Sequence, residues 1–260
     1  RQPVPVALSL GSGSDAHSLE PVGGRDDMVD ALGIREAVAT DANAYRPLLA
    51  DRIRGPVVVV IFLAIIVVAV SGMRYANQDA AGSLDRMLDA IIRTHIRQDQ
   101  PLIRALVSLG NPLPATVLVA AVAGAAAVAR RWSGVVLTIG GTLAAVTVSE
   151  LILKPLVGRL RYGHLSFPSG HSTAVAAVAI ATAILLIGAQ RPCSITLRLV
   201  AGLVPVVVAA CVAVGLIAEH IHYATDTLAG SCVALATVLT AALFLDVFEP
   251  RLRRGSQPAL

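Results

Sequence analysis

The sequence predicts an all-α, polytopic membrane protein, a bundle of six transmembrane helices, and three observations predict it. Hydrophobic residues fill 55% of the 260 positions and charged residues only 15%. Mean hydropathy is +0.73, which excludes an ordinary soluble domain. Six windows approach the roughly 20 apolar residues that a helix needs to cross a hydrocarbon core, with almost no charge inside them.

Residues 1–55 read as a cytoplasmic segment whose opening, punctuated by Gly11-Ser12-Gly13-Ser14, has the composition of a disordered stretch. The first span, 56–72, is expected to act as an uncleaved signal, since no charged-plus-apolar leader precedes it. Residues 80–109 carry Leu84, Leu88, Ile91, Ile92, Ile96 and Leu102 at near-helical spacing, with Arg86, Asp89, Arg93 and Arg97 between them. That pattern suits an interfacial helix, either a packing connector or a platform that guides a lipid headgroup. Spans at 113–129, 134–153, 171–189, 199–218 and 227–245 complete a membrane domain over 56–247, and 248–260 form a cytoplasmic tail. Gly140, Gly141 and the alanines of the second and fourth spans permit close helix packing, within one bundle or between subunits, and leave the oligomeric state open. Cys193, Cys211 and Cys232 lack paired spacing and are expected as free thiols.

Arginines near the span ends set the orientation. Arg46, Arg52, Arg54, Arg130, Arg131, Arg191, Arg198, Arg251, Arg253 and Arg254 fall on one side, which is taken as cytoplasmic. The residues between spans 3 and 4, and those after span 5, then face outward. For the bacterial inner membrane that the style of composition suggests, this is the periplasm or exterior.

Lys154 is the only lysine, beside 20 arginines. With Arg161 it lies between spans 3 and 4, His171 opens span 4, and His222 follows span 5, so the chain crosses and returns between the two histidines. Pro168-Ser169-Gly170-His171 stands at a helix start, where unpaired N–H groups and the positive end of the helix dipole attract an anion. Ser169 suits a helix cap as well as a phosphate contact, and Gly170 lets a ligand approach the backbone. His222 and Asp226 are spaced to share one helix face, as a nucleophilic or general-base histidine and its orienting carboxylate require, although a plain interfacial polar contact has the same spacing. Lys154 and Arg161 offer a point charge and a planar fork to an oxyanion; equally, Glu150 is placed to pair with Lys154 one turn away. Arg159, Arg251, Arg253 and Arg254 read as span-flanking charge. Glu219, His220 and His222 are the nearest approach to a metal-ligand set, and no metal or other cofactor is expected.

These residues resemble the type 2 phosphatidic acid phosphatases, or lipid phosphate phosphatases, a family related to the vanadium haloperoxidases. The first motif's Lys and Arg are met by Lys154 and Arg161, the second's Pro-Ser-Gly-His by residues 168–171, and the third's His and Asp by His222 and Asp226, followed by Leu228-Ala229-Gly230. The resemblance implies metal-independent hydrolysis of a phosphorylated lipid, with His222 as nucleophile, Asp226 holding its tautomer and His171 as acid. Lys154, Arg161, Ser169 and Gly170 would hold the phosphoryl oxygens. Polyprenyl diphosphates, polyprenyl-linked phosphates and phosphatidic acid-like lipids all fit; the expected partners are that lipid and the bilayer, with no nucleic acid. A transporter is disfavoured because no span carries a charge near its middle. Two departures stand out. Tyr162 follows Arg161 where the family has Pro, and Gly215-Leu216 replace the Ser-Arg that opens the third motif. Arg159, His164 or His220 are candidates to fill the gap left by that arginine. The rival expectation is therefore a catalytically impaired relative that binds lipid phosphates.

Overall fold

The computed structural model describes residues 47–96, 100–188 and 194–255, with side chains through 248. The expected disordered opening, Arg46, Arg97, Arg191, Cys193 and the end of the tail lie outside the described residues. Among the described residues nine α-helices follow in chain order: α1 (Asp51–Tyr75), α2 (Ser83–His95), α3 (Pro101–Ser108), α4 (Pro112–Val128), α5 (Trp132–Thr147), α6 (Lys154–Val157), α7 (Gly170–Ile187), α8 (Ile195–Ala218) and α9 (Ala224–Gly255). A π-helical stretch, Val148–Leu153, joins α5 to α6, and a two-stranded hairpin, β1 (Leu160–Arg161) and β2 (His164–Leu165), lies between α6 and α7.

Local chemistry sets these boundaries. Pro101 and Pro112 stand in the first turns of α3 and α4, where a missing N–H costs nothing. The Ser169 and Ser194 hydroxyls cap α7 and α8 by accepting from the amides of Ser172 and Leu197. Among the described residues, five stretches are long and apolar enough to cross a membrane: Asp51–Tyr75, Trp132–Val157, Gly170–Ile187, Ile195–Ala218 and Ala224–Phe248. The second expected span corresponds to α4, 17 residues long, which joins this set only as a bent pair with α3, from which it diverges by 68°. The region read as one interfacial helix contains two, α2 and α3. Helix α2 turns Asp85 and Asp89 inward and leaves Leu84, Met87 and Ile91 exposed.

Helix α7 occupies the middle of the bundle, packed by α4, α5, α8 and α9. Its alanines make this possible: Ala177 and Ala181 are fully buried against a core that includes Leu137 and Ala145 of α5 and Val238 and Ala242 of α9. Large apolar side chains face outward instead, among them Phe62, Leu63, Leu151, Leu203 and Phe244. Lipid is their fitting solvent. Helix α9 continues beyond the expected span end to Gly255, and Asp246 within it accepts the backbone amides of Leu48 and Leu49 just before α1. Cys211 and Cys232 are free thiols.

Both sequence departures have structural causes. The hairpin pairs Arg161 with His164 across a two-residue turn, Tyr162-Gly163, with φ of 50° and 79°. That is a type I′ geometry, which the φ of proline, fixed near −65°, cannot enter. At the third motif, a Cβ on Gly215 would meet a Val107 methyl at 2.8 Å, and Leu216 is fully buried beside Ile103, Val107 and Val212. Helix α3 fills the space around the place that the family gives to arginine.

Restoring the family's Pro with Tyr162→Pro is expected to cost about 2 to 3 kcal/mol, whereas Tyr162→Gly should stay within about 0.5 kcal/mol of native. Thermal unfolding in detergent checks both, and a proline variant as stable as the native chain would refute the turn assignment.

Candidate active site

The loops after α6 and α8 and the first turns of α7 and α9 meet at one end of the bundle. The amide of Ser169 donates to the carbonyl of Asp226 at 3.0 Å, fastening the start of α7 to that of α9. Thr173 reinforces the joint, its hydroxyl lying 3.2 Å from the carbonyl of Gly230. His171 and His222 are thereby brought to a ring-centroid distance of 6.1 Å.

His222 is buried in the turn between α8 and α9, its Nδ1 facing Asp226 Oδ2 at 3.8 Å. That distance is too long for a hydrogen bond, and Nδ1 has no partner. His171 Nε2 lies 3.1 Å from Asn111 Oδ1, a contact supplied by the bend between α3 and α4. Ser169 is fully buried, with its hydroxyl engaged as the cap of α7. Lys154 opens α6 and pairs with Glu150 at 2.7 Å, as their spacing allowed. Arg161 is 7% exposed, its guanidinium 4.1 Å from the centroid of the Tyr223 ring. Its Nε and Nη1 are buried without hydrogen-bond partners. Buried donors left without an acceptor in this way are costly in a folded protein unless an acceptor joins them.

Arg159 departs most from its expected role. It is not a solvated flank but fully buried, stacked between the rings of Tyr75 at 4.1 Å and Tyr223 at 4.3 Å. Its Nη1 donates to Asp226 Oδ1 at 2.6 Å and to the Thr225 hydroxyl at 2.7 Å, and its Nη2 donates to Asp85 Oδ2 at 2.5 Å. Asp85 Oδ1 accepts from the amide and hydroxyl of Thr225, at 2.9 and 2.8 Å. Burial would raise the Asp85 carboxyl, but the bonds from Arg159 and Thr225 outweigh it and hold it below the usual carboxylate range. With Oδ1 committed to Arg159, Asp226 presents Oδ2 toward His222 and the amide of Tyr223. The side of this lock that comes from α2 has no sequence motif to announce it.

The groups considered as stand-ins for the missing arginine are placed differently. His164 is exposed on the hairpin. His220 has a positive φ of 59° and lies 3.1 Å from Arg93 of α2. Burial, with help from Arg93 and Arg161, holds its imidazole below the usual histidine range. Among the described residues, no three His, Cys, Asp or Glu side chains are grouped as a metal site.

A groove of about 670 Å³ opens from this end between α4 and α5. Glu150, Lys154, Gly170 and His171 stand at its polar end, while Val119, Ile139, Leu143 and their neighbours make the remainder apolar.

Asp85→Asn is expected to destabilise the fold by about 3 kcal/mol by leaving part of the Arg159 charge unmatched. Because the folded Asp85 value is depressed, its contribution is present above the unfolded value near pH 4 and is lost as pH falls through the folded one. The native protein should therefore lose stability below about pH 4 more steeply than the Asn variant. Equal stability and equal acid limbs would refute the lock.

Residues 132–249 match the family model described as the PAP2 superfamily. No curated protein matches the chain, and no solved structure does. The match spans every motif residue from Lys154 to Asp226. Over these residues, somewhat under half of the chain, the sequence is similar to the PAP2 superfamily, a family of phosphatases, and the apolar helices fit a phosphatase of the membrane.

Proposed function

We propose that this protein is an integral membrane lipid phosphate phosphatase working through a phosphohistidine on His222. The observation that carries the reading is the junction of α7 and α9. It sets two histidines 6.1 Å apart beside a carboxylate fixed by a buried arginine, with Lys154 in the groove that His171 also lines and Arg161 stacked on Tyr223, next to His222.

In the first step His222 Nε2 attacks phosphorus, forming the N–P bond as the P–O bond to the lipid breaks, and His171 delivers a proton to the departing lipid oxygen. Asp226 Oδ2 faces Nδ1 and steadies the positive charge that grows on the ring; the 3.8 Å separation closes when substrate is bound. In the second step His171 takes a proton from water, which attacks the phosphohistidine and releases inorganic phosphate. Lys154, Arg161 and the N–H groups at the start of α7 hold the phosphoryl oxygens as charge develops. Ser169, occupied as a cap, acts by aiming those N–H groups. Arg159 is a positioning residue, since its guanidinium is spent on Asp85 and Asp226.

The groove between α4 and α5 supports a lipid substrate, because a phosphate seated among Lys154, Gly170 and His171 would leave an attached tail in its apolar part. Polyprenyl diphosphate or a polyprenyl-linked phosphate in envelope synthesis is the preferred class, by family analogy. The six-span count takes α3 and α4 as one broken span, with α2 lying in the interface. The arginine distribution supports termini in the cytoplasm and a site on the outer face. A cysteine introduced at exposed Tyr162 should then react with an impermeant reagent from outside intact cells; labelling only after lysis would reverse the orientation. A second reading, a lipid-phosphate binder without turnover, draws on the burial of Leu216, which denies the site its family arginine.

Phosphate release in detergent with EDTA separates the two readings, using polyprenyl diphosphate, phosphatidic acid and phosphatidylglycerol phosphate as substrates. Turnover should persist without metal, be blocked by vanadate, and drop by about 1,000-fold or more in His222→Ala. No release by folded native protein from any of these lipids would favour the binder.

A further inference from the structure

Asn111 does not do for its helix what an asparagine in that place ordinarily does. It occupies the N-cap of α4, where its side-chain oxygen would accept from the amide of the second or third helical residue, yet it caps nothing. The sequence supplies part of the reason, because the third residue is Pro114, which has no N–H. Asn111 Oδ1 is turned instead to His171 Nε2, at 3.1 Å. The residue before it holds the same ring, since a Cβ on Gly110 would lie 2.8 Å from His171 Cβ and 3.0 Å from its Cδ2. The bend between α3 and α4 therefore grips the Cδ2–Nε2 edge of the imidazole. Nδ1, on the opposite edge, has no hydrogen-bond partner among the described residues, and the ring lines the groove.

Resting on the phosphatase reading, we propose that Asn111 is a positioning residue that makes Nδ1 the working nitrogen of the acid His171. An amide oxygen only accepts, so the contact keeps a proton on Nε2 through the whole cycle and leaves every change of protonation to Nδ1. As the P–O bond to the lipid breaks, the Nδ1 proton passes to the departing oxygen, and the ring is left neutral with its Nε2 proton in place. The Nδ1 lone pair then takes a proton from the water that attacks the phosphohistidine, which restores the acid. The charge of the partner matters as well as its position. His222, which must carry positive charge while the N–P bond stands, faces a carboxylate; His171, which must give a proton away, is held by a neutral amide that does not tighten its grip on that proton. The charged and titratable groups that also act on this ring are His222, Lys154 and Glu150, whose Oε1 lies against Gly170.

The test compares phosphate release in detergent by the native chain, Asn111→Leu and Asn111→Asp. Phosphatidic acid and a polyprenyl monophosphate have departing alkoxides that need a proton; p-nitrophenyl phosphate has a departing phenolate that does not. Asn111→Leu should lower kcat on the two lipids by about 30- to 100-fold with KM within about 3-fold, and lower it on the aryl ester by no more than about 3-fold. A general disturbance of the fold would reduce all three alike. Asn111→Asp keeps the shape and adds a charge, so it should return the lipid rates to within about 10-fold of native and move the alkaline limb of the kcat profile up by about 1 pH unit or more. Equal losses on lipid and aryl esters in the Leu variant, or an unmoved alkaline limb in the Asp variant, would overturn the proposal and leave the phosphatase reading in place. So would a native chain that cleaves only a polyprenyl diphosphate, whose departing phosphate needs no proton from His171. A native chain that releases phosphate from none of these substrates would overturn both.

Discussion

The buried guanidinium of Arg159 is the interaction on which the rest of the site depends. Asp85 and Asp226 come from segments remote in sequence, and each would be costly to bury alone. Arg159 bonds to both, and the rings of Tyr75 and Tyr223 close over its two faces. That single cation ties the end of α1, the start of α2, the loop after α6 and the start of α9 into one unit. It also fixes the carboxylate oxygen that faces His222. A surface salt bridge would not enforce this geometry, because water would compete for every donor.

The two departures from the family pattern are also parts of this arrangement. Gly215 and Leu216 form a floor for α3, and the bend after α3 delivers Asn111 to His171. Tyr162 sits at positive φ in a tight turn that sends β2 back along β1 beneath Arg161. What reads as a missing arginine and a missing proline is thus a local repacking of two helices and one hairpin, which keeps both histidines in place.

Much of the site is legible from residue spacing. Lys154, Arg161, Ser169, His171, His222 and Asp226 announce themselves because each lies at or near a span end where a polar group needs a reason. Helix positions are legible for the same reason, since hydropathy windows find α1, α5, α7, α8 and α9 directly. Arg159 is not legible, because arginines at span ends are ordinary, and its burial is decided by Asp85, 74 residues away. The inward face of α2 is hidden for a different physical reason. Apolar residues at helical spacing mark the exposed face of α2, where Leu84, Met87 and Ile91 lie, and so give no hint that Asp85 and Asp89 point inward. The position of Glu150 against Gly170 depends on a π-helical register that no periodicity reveals.

The central claim is that the junction of α7 and α9 makes His222 a nucleophile toward phosphorus, and trapping the intermediate tests it most directly. Native protein mixed with a radiolabelled lipid phosphate, quenched within one turnover and digested in alkali, should yield an alkali-stable, acid-labile phosphoryl group on the peptide containing His222. Turnover with no labelled protein, or label on a different residue, would contradict the account.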